Sequence, residues 1–169
     1  MARVVIVDIE TTGFNTDSCK IIELAAIQID TETFEVKGEF NSLINPMCAI
    51  PLRVSQLTGI TEDMITDEAT IYDVFDEFTH FIGDLPLVGH KIVNCDLPFL
   101  NNVSLEIDGV PFDNEVIDTL PLIRKKIKLQ SYSLENLAQT TGHVYEAHRA
   151  LNDCKALLHI IKHFGLLEV

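Results

Sequence analysis

Asp8 and Glu10 stand two residues apart at the end of a short β-branched run, Val4-Val5-Ile6-Val7. In a strand, a period of two sets both carboxylates on one face. Two negative charges sharing a site repel unless a cation neutralises them, and hard carboxylate oxygens suit magnesium or manganese. An isolated Asp-x-Glu is more often a pair on a solvated edge. Here the pair leads into Thr11-Thr12-Gly13, a turn where backbone amides and hydroxyls can approach a ligand closely.

Two later segments carry acids in suggestive company. Asp96 follows the apolar run Leu87-Val88-Gly89 and opens a helix containing Phe99 and Leu100; a plain N-cap ahead of Leu97-Pro98 would use the same residue. In His148-Arg149-Ala150-Leu151-Asn152-Asp153 a histidine stands at the mouth of a last helix and an aspartate lies inside it, beside Ala150, Cys154 and Leu157. Such an aspartate is costly to bury unless a cation or hydrogen bonds compensate. An imidazole titrates near neutrality and can take a proton from water. Without Asp153 nearby, His148 would read as a surface residue.

The elements that must position these groups follow from periodicity. Val4-Val5-Ile6-Val7, residues 21–30 and residues 35–44 are separated by turn formers and suggest a three-stranded antiparallel start. Beyond Pro51 the period changes: Val54, Leu57 and Ile60 lead into Thr61-Glu62-Asp63-Met64, and Val74, Phe75, Phe78, Phe81 and Ile82 recur at helical spacing. Leu87-Val88-Gly89 predicts a buried strand, 97–103 a helix, Val116-Ile117-Asp118 a short strand and 120–126 a helix. Another helix begins at Ser133, and Ala150, Leu151, Cys154, Leu157, Leu158 and Ile161 mark the apolar face of a last one over 149–164. Strands alternating with helices imply an α/β mixed sheet with helices on its faces.

The 169 residues suit one domain, 1–169, with no repeat or linker to divide them. No stretch is apolar enough to span a bilayer, so no membrane association is expected. The N-terminus runs directly into a strand with no signal-peptide pattern, which predicts a cytoplasmic location. Cys19, Cys48, Cys95 and Cys154 lack zinc-ligand spacing and read as reduced, mostly buried thiols. A net charge of −14 argues against a general nucleic-acid coat. Four of the twelve basic residues fall in Arg124-Lys125-Lys126-Ile127-Lys128, either a solvated helix end or a phosphate contact near a site.

Asp8-x-Glu10-Thr11, Asp96 before Leu97-Pro98-Phe99-Leu100, and His148-x-Ala150-x-x-Asp153 resemble the three motifs of the histidine-bearing branch of the DEDD-type 3′ to 5′ exonucleases, which includes bacterial proofreading subunits. Ile44-Asn45-Pro46, Thr58-Gly59-Ile60-Thr61, Ile117-Asp118-Thr119-Leu120 and Tyr132-Ser133-Leu134-Glu135-Asn136-Leu137 are similar to the segments between those motifs. One departure stands out. His90-Lys91-Ile92-Val93-Asn94-Cys95-Asp96 is one residue longer than the family's His-Asn-x-x-Phe-Asp, with Lys91 and Cys95 in place of Asn and Phe. A bulge at Val93 or Asn94 would absorb the extra residue and keep Asp96 turned toward the metals; a displaced Asp96 would weaken the second metal site.

The resemblance implies a ribonuclease H-like fold, a five-stranded mixed sheet flanked by helices. It implies two divalent cations, Mg2+ or Mn2+, clamping the attacking and leaving oxygens of an in-line displacement about 3.5–4 Å apart. Asp8, Glu10 and Asp153 would hold one ion, Asp8 would bridge to the second, Asp96 would support that second ion, and His148 would take the proton of water. Thr11, Thr12 and Gly13 are the implied seat of the terminal nucleotide, with Phe14, Leu57 and Thr58 against the last bases. The implied substrates are single-stranded nucleic acid 3′ ends, DNA ahead of RNA; the implied partners are a DNA polymerase subunit or, as in some relatives, a second copy in a homodimer. Two rivals make different predictions. A glycosidase-like carboxylate pair would work in chelator but leaves His148 and Asp153 idle. A binding module would hold a 3′ end without shortening it.

Overall fold

A computed structural model describes residues 3–167; Met1 and Ala2 of the N-terminal run read above lie outside them. Three strands open the chain, β1 (Arg3–Thr11), β2 (Ile21–Asp30) and β3 (Val36–Leu43), each antiparallel to the next. Three helices follow, α1 (Leu52–Thr58), α2 (Glu62–Ile65) and α3 (Ile71–Ile82). Strand and helix then alternate: β4 (Leu87–Gly89), α4 (Asp96–Ile107), β5 (Val116–Asp118), α5 (Thr119–Lys126), α6 (Leu134–Thr140) and α7 (Ala150–Phe164). The sheet runs β3-β2-β1-β4-β5, with β4 and β5 parallel to β1. The expected five-stranded mixed sheet of a ribonuclease H-like α/β fold is what forms.

Both faces of this sheet are covered, so its inner strands read as continuous apolar runs instead of alternating ones. Val4 and Ile6 pack with Ala150, Cys154, Leu157 and Ile161 of α7. Val5 and Val7, one residue out of phase, pack with Phe75 and Phe78 of α3 and Leu100 of α4. The strand period therefore places Asp8 and Glu10 on the α7 side. Because β1, β4 and β5 are parallel, their C-terminal ends share one edge, the usual location of ligand sites in sheets of this kind. No helix among the described residues is long and apolar enough to cross a membrane.

The four cysteines are free thiols, but only Cys154 is fully buried; Cys48 and Cys95 are exposed, correcting the expectation of mostly buried thiols. Cys95 is turned outward by the loop that precedes α4.

Candidate active site

Asp8 and Glu10 lie half-buried near the end of β1, opposite Ala25 and Glu23 of β2. Asp153 is 7% exposed and sits in the first turns of α7. Asp8, Glu10 and Asp153 each offer a carboxylate oxygen, and these oxygens all lie within 4.8 Å of one another. The chain thus closes a gap of over a hundred residues to bring three hard oxygen donors together on a partly open edge.

Asp96 does not act as a simple N-cap. It is the first residue of α4, only 5% exposed, and its Oδ1 accepts the Ile9 N–H of β1 at 3.2 Å. That bond turns the carboxylate toward β1, beside the other three but outside their tight cluster. The extra residue of the second motif is taken up just ahead of it. Lys91 adopts φ +62, its carbonyl accepts the N–H groups of Asn94 and Cys95, and the Ile92 carbonyl accepts Leu97 N–H across five residues. The expected bulge therefore spreads over 91–97, beginning two residues earlier than Val93.

His90, which leads that motif, is occupied structurally. Its Nε2 donates to the Tyr132 carbonyl at 2.6 Å while Nδ1 meets Thr119 Oγ1 at 3.0 Å, and burial pulls its pKa down, so it pins β4 to α5 and the following loop.

The electrostatics are those of an uncompensated acid cluster. Burial, then the charges of Asp96, Asp153, Glu10 and Glu23, push the Asp8 carboxyl well above its ordinary range. Burial and the same neighbours push Glu10 up to about 8, against a downward pull from Arg149. Burial pushes Asp96 to about 7 in spite of its Ile9 hydrogen bond. Burial also raises Asp153, although Tyr145, His148 and Arg149 pull it down. Four carboxyls that resist ionisation together are what a divalent cation would relieve. Their oxygen chemistry and spacing fit Mg2+ or Mn2+.

His148 stands just before α7 with φ +62, and its Nε2 lies 3.6 Å from Glu135 Oε1 of α6. Of the residues expected to seat a nucleotide, Thr11 ends β1 and donates from Oγ1 to the Gly13 carbonyl. Thr12 is buried with its Oγ1 accepting Lys20 N–H. Gly13 leaves no room for a side chain, since a Cβ there would meet Cys19 Sγ at 2.8 Å. Phe14 is 91% exposed, and Leu57 is exposed near the end of α1. Thr58 is buried with its hydroxyl donating to the Val54 carbonyl and accepting Ile60 N–H, so that group is committed within the protein.

Three residues of the site went unread in the sequence. Tyr145 donates its hydroxyl to Asp153 Oδ1 at 2.8 Å, with its own pKa pushed up by burial and the Asp153 charge. Glu23, fully buried, and Arg149, half-buried, form an ion pair with Nη2 to Oε1 at 2.9 Å. Glu23 did leave a signal, a lone charge inside the apolar run Ile21-Ile22-Glu23-Leu24-Ala25, which is rarely buried unless paired.

The chain is 38% identical over 151 residues to the DNA polymerase III subunit epsilon of Aquifex aeolicus (strain VF5), covering 88% of this chain and 73% of that protein. It is 33% identical over 164 residues to the PolC-type DNA polymerase III of Thermotoga maritima, covering 96% of this chain but 12% of that protein. Among solved structures, E. coli Exonuclease I in complex with a dA16 oligonucleotide superposes with a TM-score of 0.84 at 22% identity, covering 99% of this chain and 42% of that one. Exonuclease X in complex with 5′ overhanging duplex DNA superposes with a TM-score of 0.67 at 26% identity, covering 98% and 93%. Residues 5–161 match the family model described as Exonuclease (RNase_T), and the chain belongs to that exonuclease family.

Proposed function

We propose that this chain, working as one exonuclease unit, removes nucleotides from the 3′ end of single-stranded DNA with Mg2+ or Mn2+. The observation that carries this reading is the meeting of Asp8, Glu10 and Asp153 oxygens at the C-terminal edge of the sheet, every carboxyl pushed above its ordinary pKa. Those three would hold one cation, with Asp8 shared toward a second supported by Asp96. When bound, the cations supply positive charge that stabilises the attacking and departing oxygens of the phosphodiester.

His148, half-exposed and tethered by backbone on its C-terminal side, accepts the proton of the attacking water at its ring nitrogen. The Thr11-Thr12-Gly13 backbone receives the terminal sugar, and the exposed faces of Phe14 and Leu57 offer stacking surface to the last bases. Thr58 contributes by holding the end of α1, since its hydroxyl is already used.

DNA is favoured over RNA because the similar proteins include a DNA polymerase subunit, a PolC-type DNA polymerase and a nuclease held on a DNA oligonucleotide. With a net charge of −14 the chain repels DNA at long range, which favours delivery of the strand by a polymerase subunit in the cytoplasm over self-assembly into a homodimer. The test is degradation of 5′-labelled single-stranded DNA and RNA of one sequence with magnesium, manganese or excess chelator. A ladder shortening from the 3′ end, absent in chelator and reduced at least about 100-fold in Asp153→Ala and His148→Ala, is expected. Turnover in chelator would restore the metal-free rival, and binding without shortening would make the chain a binding module.

A further inference from the structure

We propose that Glu23 is a positioning residue for His148, acting through Arg149 and the first amide of α7. The inference rests on the exonuclease reading above and assigns the device that holds its base in place. Glu23 lies near the start of β2 with no exposed surface, in register with Glu10. A carboxylate buried this deeply must have its oxygens satisfied. Oε1 accepts Arg149 Nη2 at 2.9 Å and Nε at 3.3 Å; Oε2 accepts Arg149 Nε at 3.1 Å and Ala150 N–H at 2.9 Å. Every one of these bonds goes to the two residues that follow His148.

The start of α7 depends on them. Arg149 occupies the N-cap position without a capping side-chain bond of its own, so the Ala150 N–H, an orphan donor at a helix start, is satisfied by a carboxylate from another strand. Asp153 accepts the Arg149 N–H from the other side at 3.1 Å. Residues 149 and 150 are thus held between β2 and the helix interior, and His148 leaves that fixed point in the left-handed region at φ +62. A non-glycine residue keeps that conformation only where its neighbours enforce it. The planar Arg149 fork on Glu23 is a rigid way to enforce it, and a single charge on a flexible stem would not be. Arg149 also offsets the Glu23 charge, so that Glu23 is not simply a further uncompensated acid beside Glu10.

The experiment is a double-mutant cycle between Glu23→Gln and His148→Ala. Gln keeps the shape but turns an amide donor toward Arg149 and Ala150, both donors themselves. In the His148-containing protein, Glu23→Gln is expected to lower kcat about 10- to 100-fold with KM altered less than about threefold. In the His148→Ala background the same change is expected to cost less than about threefold, since there is no base left to aim. Equal losses in both backgrounds, or no loss in either, would overturn the proposal. Arg149→Lys, which keeps the charge and loses the fork, carries the same cycle should Glu23→Gln fail to fold. A second readout needs neither metal nor substrate: the His148 ring signal in a 1H–13C spectrum of the metal-free protein should shift or broaden in either variant. If the wild type shortens no 3′ end, the exonuclease reading fails, and an unmoved His148 signal would still overturn the positioning role by itself.

Discussion

Glu10→Gln is expected to stabilise the metal-free protein above neutral pH while abolishing much of its response to divalent cations. In the fold the Glu10 carboxyl titrates near 8 against an ordinary value of 4.5, because burial and the charges of Asp153, Glu23 and Asp96 disfavour the anion. Between those two values the folded protein holds a proton that the unfolded chain has released. The contribution to stability is therefore complete below about pH 4.5 and is lost as pH rises through 8. At about 1.4 kcal/mol per pH unit the whole window amounts to about 5 kcal/mol; water at the open side of the cluster reduces this to roughly 2–3 kcal/mol. For a domain of this length that corresponds to roughly 5–10 °C in Tm. Thermal unfolding in excess chelator should show wild type and Glu10→Gln melting together near pH 4.5 and separating as pH rises, with the variant higher. Saturating Mg2+ or Mn2+ should reverse the order, since wild type gains the full benefit of a ligand that binds only the folded state. A variant less stable than wild type in chelator at about pH 8.5, or a gap that does not change with pH, would refute the claim that repulsion among these carboxylates is what the cation relieves.

Tyr145→Phe removes the 2.8 Å hydrogen bond to Asp153 Oδ1 and should raise the Mn2+ dissociation constant about 10-fold, read by titration calorimetry, with little change in Tm. Gly89→Ala would set a Cβ 2.6 Å from that of Ile92 and force the 91–97 turn to move. It should cost about 1–3 kcal/mol in a denaturant titration and weaken the second, Asp96-dependent cation site.

Much of this molecule was legible from periodicity. Val4-Val5-Ile6-Val7, Leu87-Val88-Gly89 and Val116-Ile117-Asp118 each lie within or match a strand, because short apolar runs bounded by turn formers have few other options in a covered sheet. Ser133 does begin α6, its hydroxyl accepting Asn136 N–H. The helix expected over 97–103 runs from Asp96 to Ile107, since Gly109 at φ +75 and not the end of the apolar pattern marks where the chain turns. Candidate residues with their own chemistry, Asp8, Glu10, Asp96, His148 and Asp153, could be singled out one motif at a time. Residues that act by pairing could not: Arg149 and Glu23 are 126 positions apart, and nothing local says which cation meets which acid. Tyr145 likewise has meaning only once α7 carries Asp153 under its hydroxyl.

The places where local rules are broken help to explain how the site is held. Phe34, Met47, Lys91 and His148 are the non-glycine residues with positive φ among those described, and the last two each stand five residues ahead of a candidate site carboxylate. Lys91 starts the turn that ends at Asp96; His148 precedes the turn that leads to Asp153. A left-handed residue costs roughly 1–2 kcal/mol, and a cluster of ionised carboxylates costs more, so neither would persist on packing grounds alone. Both are held by cross-strand bonds from the sheet: Asp118 Oδ1 accepts Lys91 N–H at 3.0 Å, and Glu23 accepts Ala150 N–H beyond His148. The apolar sheet therefore acts as the rigid frame against which two strained turns are fastened. A cation joining the acids that those turns bring together would offset the charge repulsion among them.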